Sequence, residues 1–237
     1  MRQRLFTTSI AWLIVVSTIL AQKPASGVLQ YELFFTHSPG HTQHTAYQLL
    51  FQGGESAVVD ITKPGSATAF SVVHYKNLGT KKLISQDDAD GEPILVDESL
   101  KPIAWKILSQ TRKIGVFTCQ KAQANVRGRT YTAWFTKAVT ASTGPWKLYG
   151  LPGLILEAED DTHEVRFAFV SLTTSFPKNA SIKAPLPAVG QKRMTAAGRD
   201  AYIAQKYEAI RKKLASKPGL TNTVVEINPG KTIELVN

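Results

Sequence analysis

Apolar and polar residues alternate in short runs from residue 28 to residue 175, and turn-forming residues separate the runs. In one run Val165, Phe167 and Phe169 occupy every second position, with Arg166 between them. Side chains of a strand point alternately to opposite faces, so this spacing predicts a strand with one buried and one wetter face. About a dozen such runs at hairpin spacing predict one antiparallel sheet system. The predicted strands cover residues 28–36, 45–52, 56–62, 68–76, 81–86, 93–98, 103–110, 113–126, 130–136, 146–150, 154–160 and 164–175.

One segment, residues 194–216, has the period of a helix instead. Ile203, Tyr207, Ile210 and Leu214 follow one another at spacings of 4, 3 and 4. This spacing places the four side chains on a single apolar stripe, which is typical of an amphipathic helix that packs on another element.

The order of these elements predicts a mainly β protein. We expect a single curved antiparallel sheet, either a half-barrel or an open barrel-like form, with one C-terminal amphipathic helix. The sheet is expected over residues 28–175, a Pro-containing linker over 176–193, the helix over 194–216 and a last pair of strands over 223–236. A chain of this length buries a proper core, so residues 22–237 are predicted to form one domain.

The first 21 residues have the composition of a secretory signal peptide. Arg2 and Arg4 precede an apolar run from residue 10 to residue 20, and a small residue stands at the expected cut. A membrane anchor is the alternative, but the run is short for one. Cys119 is the only cysteine, so a lipid-modified cysteine at the cut is excluded. We therefore expect an exported chain, periplasmic or extracellular, that is soluble after cleavage.

Positive charge is concentrated near the C-terminus. The formal net charge is +10, and residues 191–217 hold eight basic residues against two acidic ones. Outside the cytoplasm the anionic partners are membrane surfaces and polyanionic glycans, and nucleic acid is an unlikely partner. The sequence predicts that Lys206, Arg211, Lys212 and Lys213 face such a surface, as in an accessory to an outer-membrane component. A solvated helix face is the alternative.

Three of the five histidines, His37, His41 and His44, lie within eight residues around a predicted Pro-Gly turn. Imidazole groups on one loop are ligands for Zn²⁺ or Cu²⁺, so a metal ion is a possible cofactor here. The spacing matches no standard metal motif, and solvated histidines at a hairpin end are the alternative. Apart from this hypothetical metal, the sequence indicates no cofactor.

Two features allow an enzyme hypothesis. Cys119 is a lone thiol in a predicted strand, without the adjacent histidine that a catalytic thiolate needs. Glu157 and Glu159 share one face of another predicted strand and resemble an acid/base pair. A buried apolar cysteine and charged residues on a wet strand face explain both features equally well, so we expect no catalytic residues.

Large aromatic residues concentrate in the central third of the chain. A curved sheet lined with such rings binds apolar or amphipathic ligands, because each ring supplies a large contact area. This pattern predicts a non-enzymatic binding or carrier module, and the alternative is that the rings form the core. The candidate ligand-binding residues are Trp105, Trp134, Phe135, Trp146 and Tyr149.

Several ordered motifs resemble the GLPGLI family, which comprises secreted bacterial proteins without an assigned biochemical function. The motifs are AWKI at residues 104–107, KIGVFTCQKA at 113–122, AWFT at 133–136, GPWKLYGLPGLILEAED at 144–160 and a closing IEL at 233–235. The resemblance implies an exported β protein and no catalytic residues.

The hexapeptide that gives this family its name comprises Gly150, Leu151, Pro152, Gly153, Leu154 and Ile155. Proline fixes φ at the second position of a turn, and glycine accepts the positive φ of the third, so Pro152 and Gly153 predict a type II turn. Leu151, before proline, is expected to extend the predicted strand at 146–150. We interpret the hexapeptide as a structural motif that fixes the shape and register of the sheet.

Overall fold

The computed structural model describes residues 25–38, 40–62, 72–89, 91–178 and 180–216. The predicted signal peptide and the predicted strands at 223–236 lie outside these residues. The protein is mainly β, with 56% in strands, and a single sheet of twelve strands is not closed into a barrel. One helix follows the sheet.

The elements follow one another along the chain as twelve strands and then the helix. They are β1 Ser26–Ser38, β2 His41–Gln52, β3 Glu55–Asp60, β4 Val72–Asn77, β5 Lys82–Ala89, β6 Glu92–Ser99, β7 Lys106–Ile114, β8 Phe117–Val126, β9 Arg129–Thr136, β10 Leu154–Asp160, β11 Val165–Thr173, β12 Lys192–Thr195 and α1 Ala196–Ala215.

The spatial order of the strands is β12-β6-β5-β4-β3-β2-β1-β11-β10-β9-β8-β7. The sheet must curve strongly, because β6 and β7 are consecutive in the chain but lie near opposite edges. In a flat sheet their ten strand spacings would separate them by about 48 Å, whereas the chain between Ser99 and Lys106 reaches about 25 Å at most. The Arg127 Nη2 atom in the β8–β9 turn indeed lies 2.5 Å from the Glu98 Oε2 atom on β6. The prediction of a curved, open sheet is confirmed.

The concave face carries the core. Leu33, Phe167, Ala158, Ala133 and Ala122 stand opposite one another across five strands, from β1 to β8. Paired residues of an antiparallel ladder point to the same face. All five side chains are buried, so the alternation that the sequence predicts places one apolar row against the interior.

Three elements differ from the prediction. The predicted strand at 113–126 is divided by the two-residue turn Gly115–Val116, so residues on either side of it belong to the separate strands β7 and β8. Residues 146–150 form no strand, and only an isolated bridge joins Thr143 to Tyr149. β12, at the end of the predicted linker, pairs with β6 in parallel, so the sheet is not wholly antiparallel. The physical reason is the path of the linker. Ile182 and Ala184 of the linker pack on the convex side of β4–β6. The chain therefore returns to the edge of the sheet running in the same direction as β6.

The helix α1 begins after the N-cap residue Thr195, whose side chain accepts a hydrogen bond from the Gly198 amide. Only its first half packs on the sheet: Tyr202 and Ile203 contact a small cluster around Ile94 and Val96. The C-terminal amphipathic helix of the prediction is therefore present, but its apolar stripe is only half-buried.

Candidate functional site

The segment from residue 137 to residue 153, which we call the belt, joins β9 to β10 and crosses the concave face. It has almost no regular structure, yet Trp146, Leu148 and Leu151 are all at most 4% exposed. Trp146 stacks on Phe167 with ring centroids 6.2 Å apart. The belt therefore fills the hollow of the curved sheet with side chains of the chain itself.

A buried lysine on β4 holds the belt in place. Lys76 is 0% exposed, and its Nζ atom donates to the carbonyl oxygens of Gly144 at 2.7 Å, Trp146 at 2.9 Å and Leu148 at 3.1 Å. Three acceptors match the three protons of an ammonium group. Burial lowers the pKa of Lys76 to about 7, because desolvation disfavours the charged form. The carbonyl groups oppose this effect by stabilising the cation.

Three further strands bind the belt. The Tyr31 hydroxyl on β1 accepts a hydrogen bond from the Trp146 amide at 3.3 Å. Ser56 on β3 bonds the Thr143 hydroxyl at 2.9 Å, and the Lys147 Nζ atom lies 2.8 Å from Glu98 Oε1 on β6. The belt therefore contacts strands in both halves of the sheet and links the two halves.

The hexapeptide begins in the belt and ends in β10. The Gly153 amide donates to the Leu151 carbonyl at 2.8 Å, which closes a three-residue turn around Pro152 and not the predicted type II turn. A Cβ atom on Gly153 would lie 2.2 Å from the Thr136 carbonyl oxygen. Glycine is required here because two backbone segments approach closely. Leu151 packs in the core and extends no strand.

The five candidate aromatic residues do not share one surface. Phe135 is 0% exposed and Trp146 is 4% exposed, so both lie in the core. Trp134, next to Phe135, points to the convex face, where the Arg112 guanidinium lies 4.3 Å from the centre of its ring. Trp105 and Tyr149 meet at the belt, with Trp105 Nε1 donating to the Tyr149 carbonyl at 2.8 Å.

The candidate metal ligands are dispersed as far as the structure describes them. His41 and His44 lie three residues apart on β2, so their side chains point to opposite faces. The His44 Nε2 atom lies 3.4 Å from Glu32 Oε2, and its ring stacks on Phe34. The His37 side chain is outside the described atoms. Among the described residues, no three His, Cys, Asp or Glu side chains are grouped as a metal site.

The groups named in the enzyme hypothesis are engaged elsewhere. Cys119 is 0% exposed, and burial raises the pKa of its thiol to about 11, which opposes a thiolate at neutral pH. Glu157 forms an ion pair with Arg112, whereas Glu159 bonds the His163 Nδ1 atom at 2.9 Å. The two carboxylates therefore have separate basic partners and form no shared acid/base pair.

The four predicted surface cations separate into two groups. Lys206 points to the sheet, with its Nζ atom 3.4 Å from Glu92 Oε1. Arg211, Lys212 and Lys213 are exposed on the last turns of α1. Over the residues that the structure describes, no helix combines the length and apolar character of a membrane span.

The buried lysine Lys76 and the buried ion pair of Arg129 with Asp160 were not identified from the sequence. Lys76 ends a predicted strand, where a lysine ordinarily reaches into solvent. Arg129 and Asp160 form a buried ion pair, 2.5 Å between Nη1 and Oδ2, at the ends of β9 and β10. The only signal in the sequence for this ion pair was that both residues stand beside predicted turns. Exposed charged residues stand beside turns equally often.

Comparison with protein families gives one match. The model of a family described as "Protein of unknown function (Porph_ging)" matches residues 125–157. The chain is similar to that family from the end of β8 through β9 and the belt into β10, a segment that includes the hexapeptide. No curated protein sequence matches the chain.

Solved structures resemble the fold more widely. The chain is similar to PNGF-II, with a TM-score of 0.51 and 17% identity over 76% of this chain and 32% of PNGF-II. It thus spans about a third of PNGF-II, and at this identity the likeness shows the fold alone. The LolA superfamily protein NE2245 from Nitrosomonas europaea has a TM-score of 0.31 and 12% identity, over 68% of this chain and 90% of that protein. This likeness is too low to support an argument about function.

Proposed function

We propose that this protein is an exported, non-catalytic accessory protein of the cell envelope, which docks on an anionic membrane surface through the end of α1. The observation that carries the proposal is the exposed basic group formed by Arg211, Lys212 and Lys213. The side chains of Arg211 and Lys212 are 61% and 78% exposed. Membership of the GLPGLI family, suggested by the sequence motifs, is part of this proposal and implies the same compartment.

The basic group keeps a net positive charge. Its one acidic neighbour among the described residues is Glu208, whose carboxylate lies 3.3 Å from Arg211 and 3.9 Å from Lys212. Exposed pairs of this kind are weak and are screened by salt. Lys206 is excluded from the docking group because it is bound to Glu92 on the sheet.

A bilayer surface fits the geometry of the helix end. Ile210 and Leu214 lie one turn apart beside the cations and are half-buried. Exposed basic side chains beside a membrane are attracted to the negative surface potential of anionic lipids. Each cation near such a surface contributes about 1 kcal/mol, so three contribute about 3 kcal/mol, or roughly 150-fold in binding.

Vesicle binding tests the proposal. The full chain is titrated with vesicles of phosphatidylglycerol and phosphatidylcholine, and with vesicles of phosphatidylcholine alone. A variant with Arg211, Lys212 and Lys213 replaced by Gln should lose about 100-fold in binding to the anionic vesicles. The matched control replaces three other exposed lysines, Lys101, Lys106 and Lys113, by Gln. It should bind nearly as the wild type does.

Two results would overturn the membrane assignment. Equal losses in both triple variants would show that total charge, and not the helix end, controls binding. Stronger binding to heparin than to the anionic vesicles, lost in the helix variant, would assign the same cations to a polyanionic glycan instead.

A second candidate is a carrier for an apolar or amphipathic ligand on the concave face, at Phe135 and Trp146 and at Trp105 and Tyr149 beside the belt, whereas Trp134 lies on the opposite face. The strong curvature of the sheet favours it, because concave apolar surfaces bind such ligands. The belt fills the hollow over Phe167, so a ligand would have to displace the belt. Native mass spectrometry of protein purified from the envelope tests this: a copurifying lipid supports a carrier, and a chain free of ligand counts against it.

Zinc or copper binding by His37, His41 and His44 remains a separate hypothesis. Calorimetry with Zn²⁺ and Cu²⁺ should give different heats for the wild type and for a variant with all three histidines replaced by alanine. Equal heats would remove the hypothesis.

A further inference from the structure

The two edges of the sheet differ in how they are protected. At one edge β12 has four residues and leads directly into α1, which packs against β12 and β6. At the other edge β7 has nine residues, pairs with β8 alone among the described strands, and buries only Ile114. Long exposed edges are templates for another strand, and proteins usually cover or shorten them. Within the part of the chain that the structure describes, the β7 edge is therefore the open one.

Backbone groups on this edge are available for pairing. The two-residue turn Gly115–Val116 pairs Ile114 with Phe117, so Ile114 and, two residues back, Arg112 direct their amide groups at β8. The amide groups of Thr111 and Lys113 consequently point outward. Among the described residues, nothing forms a hydrogen bond with these outward groups. They offer donors and acceptors to an added strand.

The positive charge of β7 determines which kind of strand can pair with this edge. Lys106 and Lys113 are exposed on β7, and Arg112 between them pairs with Glu157 on the convex face. A second copy of this chain would bring like charges together at the edge, which disfavours self-pairing. An acidic strand would meet opposite charges, and Ile107, which is 43% exposed, adds an apolar contact.

We propose that the β7 edge docks an extended acidic segment of a partner polypeptide, which adds to the sheet as a further strand beside Thr111 and Lys113. Strand addition takes its affinity from main-chain hydrogen bonds and its specificity from side-chain contacts. The register of β7 against β8 breaks between Ile107 and Thr111. Main-chain pairing of the docked segment is therefore confined to the short regular stretch that follows the break, and Lys106 and Ile107 before it supply side-chain contacts only.

A labelled peptide tests this proposal. The probe is a ten-residue repeat of Thr and Glu with a terminal fluorophore, and binding to the full chain is followed by anisotropy. The double variant Lys106→Glu and Lys113→Glu should weaken binding by at least about tenfold and should gain affinity for the matching Thr-Lys peptide. The helix variant at Arg211, Lys212 and Lys213 is the matched control and should bind the acidic peptide as the wild type does. This control separates the proposal from membrane docking.

Main-chain pairing has its own readout. Thr111→Pro removes an outward amide without removing a bond to β8, and should abolish binding while circular dichroism stays unchanged. If Thr111→Pro misfolds, an acidic peptide with alternate N-methyl amides serves instead, because it cannot pair on the wild-type edge. Equal binding of the N-methylated peptide, or no binding of the unmodified one, would overturn the proposal. A wild-type dimer that Thr111→Pro dissociates would assign the edge to a second copy.

Discussion

The belt and the helix α1 both lie on the sheet, but different forces hold them. The belt has no regular secondary structure, yet it buries Trp146, Leu148 and Leu151 and binds four strands through buried polar groups. α1 is a regular helix, yet beyond Tyr202 and Ile203 it is tied to the sheet mainly by partly exposed ion pairs, Arg199 with Asp87 and Lys206 with Glu92. Regularity of the backbone is therefore a poor guide to which segment is fixed.

The belt and α1 differ in burial, and burial determines how much each contact contributes to the free energy of unfolding. Burying an apolar side chain contributes about 1.5–3 kcal/mol, and a hydrogen bond between buried partners is costly to break. Exposed ion pairs contribute about 0–1 kcal/mol. We therefore expect substitutions in the belt, or in the buried residues that bind it, to change the free energy of unfolding much more than substitutions at the helix. Four experiments test whether buried contacts, at the belt and elsewhere in the core, contribute more than exposed contacts near α1.

The largest effect is expected from Gly153→Val, where a side chain meets the Thr136 carbonyl oxygen. The loss should exceed about 4 kcal/mol in the free energy of unfolding, measured by urea denaturation, because the backbone itself must move. The control is Gly54→Val: Gly54 has a positive φ of 90° but no atom within 4 Å of the added Cβ. It should cost only about 1–2 kcal/mol. Equal losses would contradict the close-approach explanation.

Arg129→Met should be nearly as severe. Asp160, whose side chain is 0% exposed, would remain as an uncompensated buried charge. Removing one partner of such a pair costs about 3–5 kcal/mol. Denaturation of Arg129→Met and of the double variant with Asp160→Leu separates charge from packing. A double variant that is no more stable than Arg129→Met would show that the unpaired carboxylate is not the cause.

Lys76→Met should cost about 2 kcal/mol at neutral pH, because three belt carbonyl groups lose their donor. The effect depends on pH. Burial lowers the pKa of Lys76 from 10.5 to about 7, so the unfolded chain binds more protons between these values. Wild-type stability relative to Lys76→Met should therefore rise by about 2 kcal/mol between pH 7 and pH 9. Parallel stability curves for the two proteins would refute the shifted pKa.

The smallest effect on stability is expected at β12, the strand that leads into α1. Arg193 binds both oxygens of Asp97, at 2.6 and 2.8 Å, but the pair is about a third exposed. Arg193→Ala should cost less than about 1 kcal/mol by thermal denaturation, and less still at high salt. A loss as large as that of Arg129→Met would show that ion pairs near the helix contribute as much as buried ones.

The predictions from sequence succeeded where local periodicity decides the structure. The alternation of Val165 and Phe167 correctly predicted β11, and the apolar stripe around Ile203 correctly predicted α1. The predicted strand at 146–150 was wrong because its apolar residues, Trp146 and Leu148, are buried by crossing the sheet and not by pairing within it. β12 was missed because a four-residue parallel strand depends on the path of the linker, which the local pattern does not contain.

The candidate site could be predicted only in part. Grouping by residue type placed Trp134 and Phe135 together, but neighbours in a strand point to opposite faces, so the fold separates them. Arg211, Lys212 and Lys213 are exposed together on the last turns of α1, whereas Lys206 turns to Glu92; that the three cations face an anionic surface stays a prediction. The role of Lys76 escaped prediction because its three acceptors lie roughly 70 residues away in the chain.

The sequence by itself determined the mainly β character, the single helix after the sheet and the position of the glycine motif. Period and turn chemistry act over a few residues, so they are legible in the chain. Only the tertiary structure decided that the sheet curves until Glu98 meets Arg127, that the belt fills its hollow, and that β7 lies at an edge with no further partner among the described strands. These features depend on burial and pairing between distant segments, where desolvation and shape, and not local preference, set the free energy.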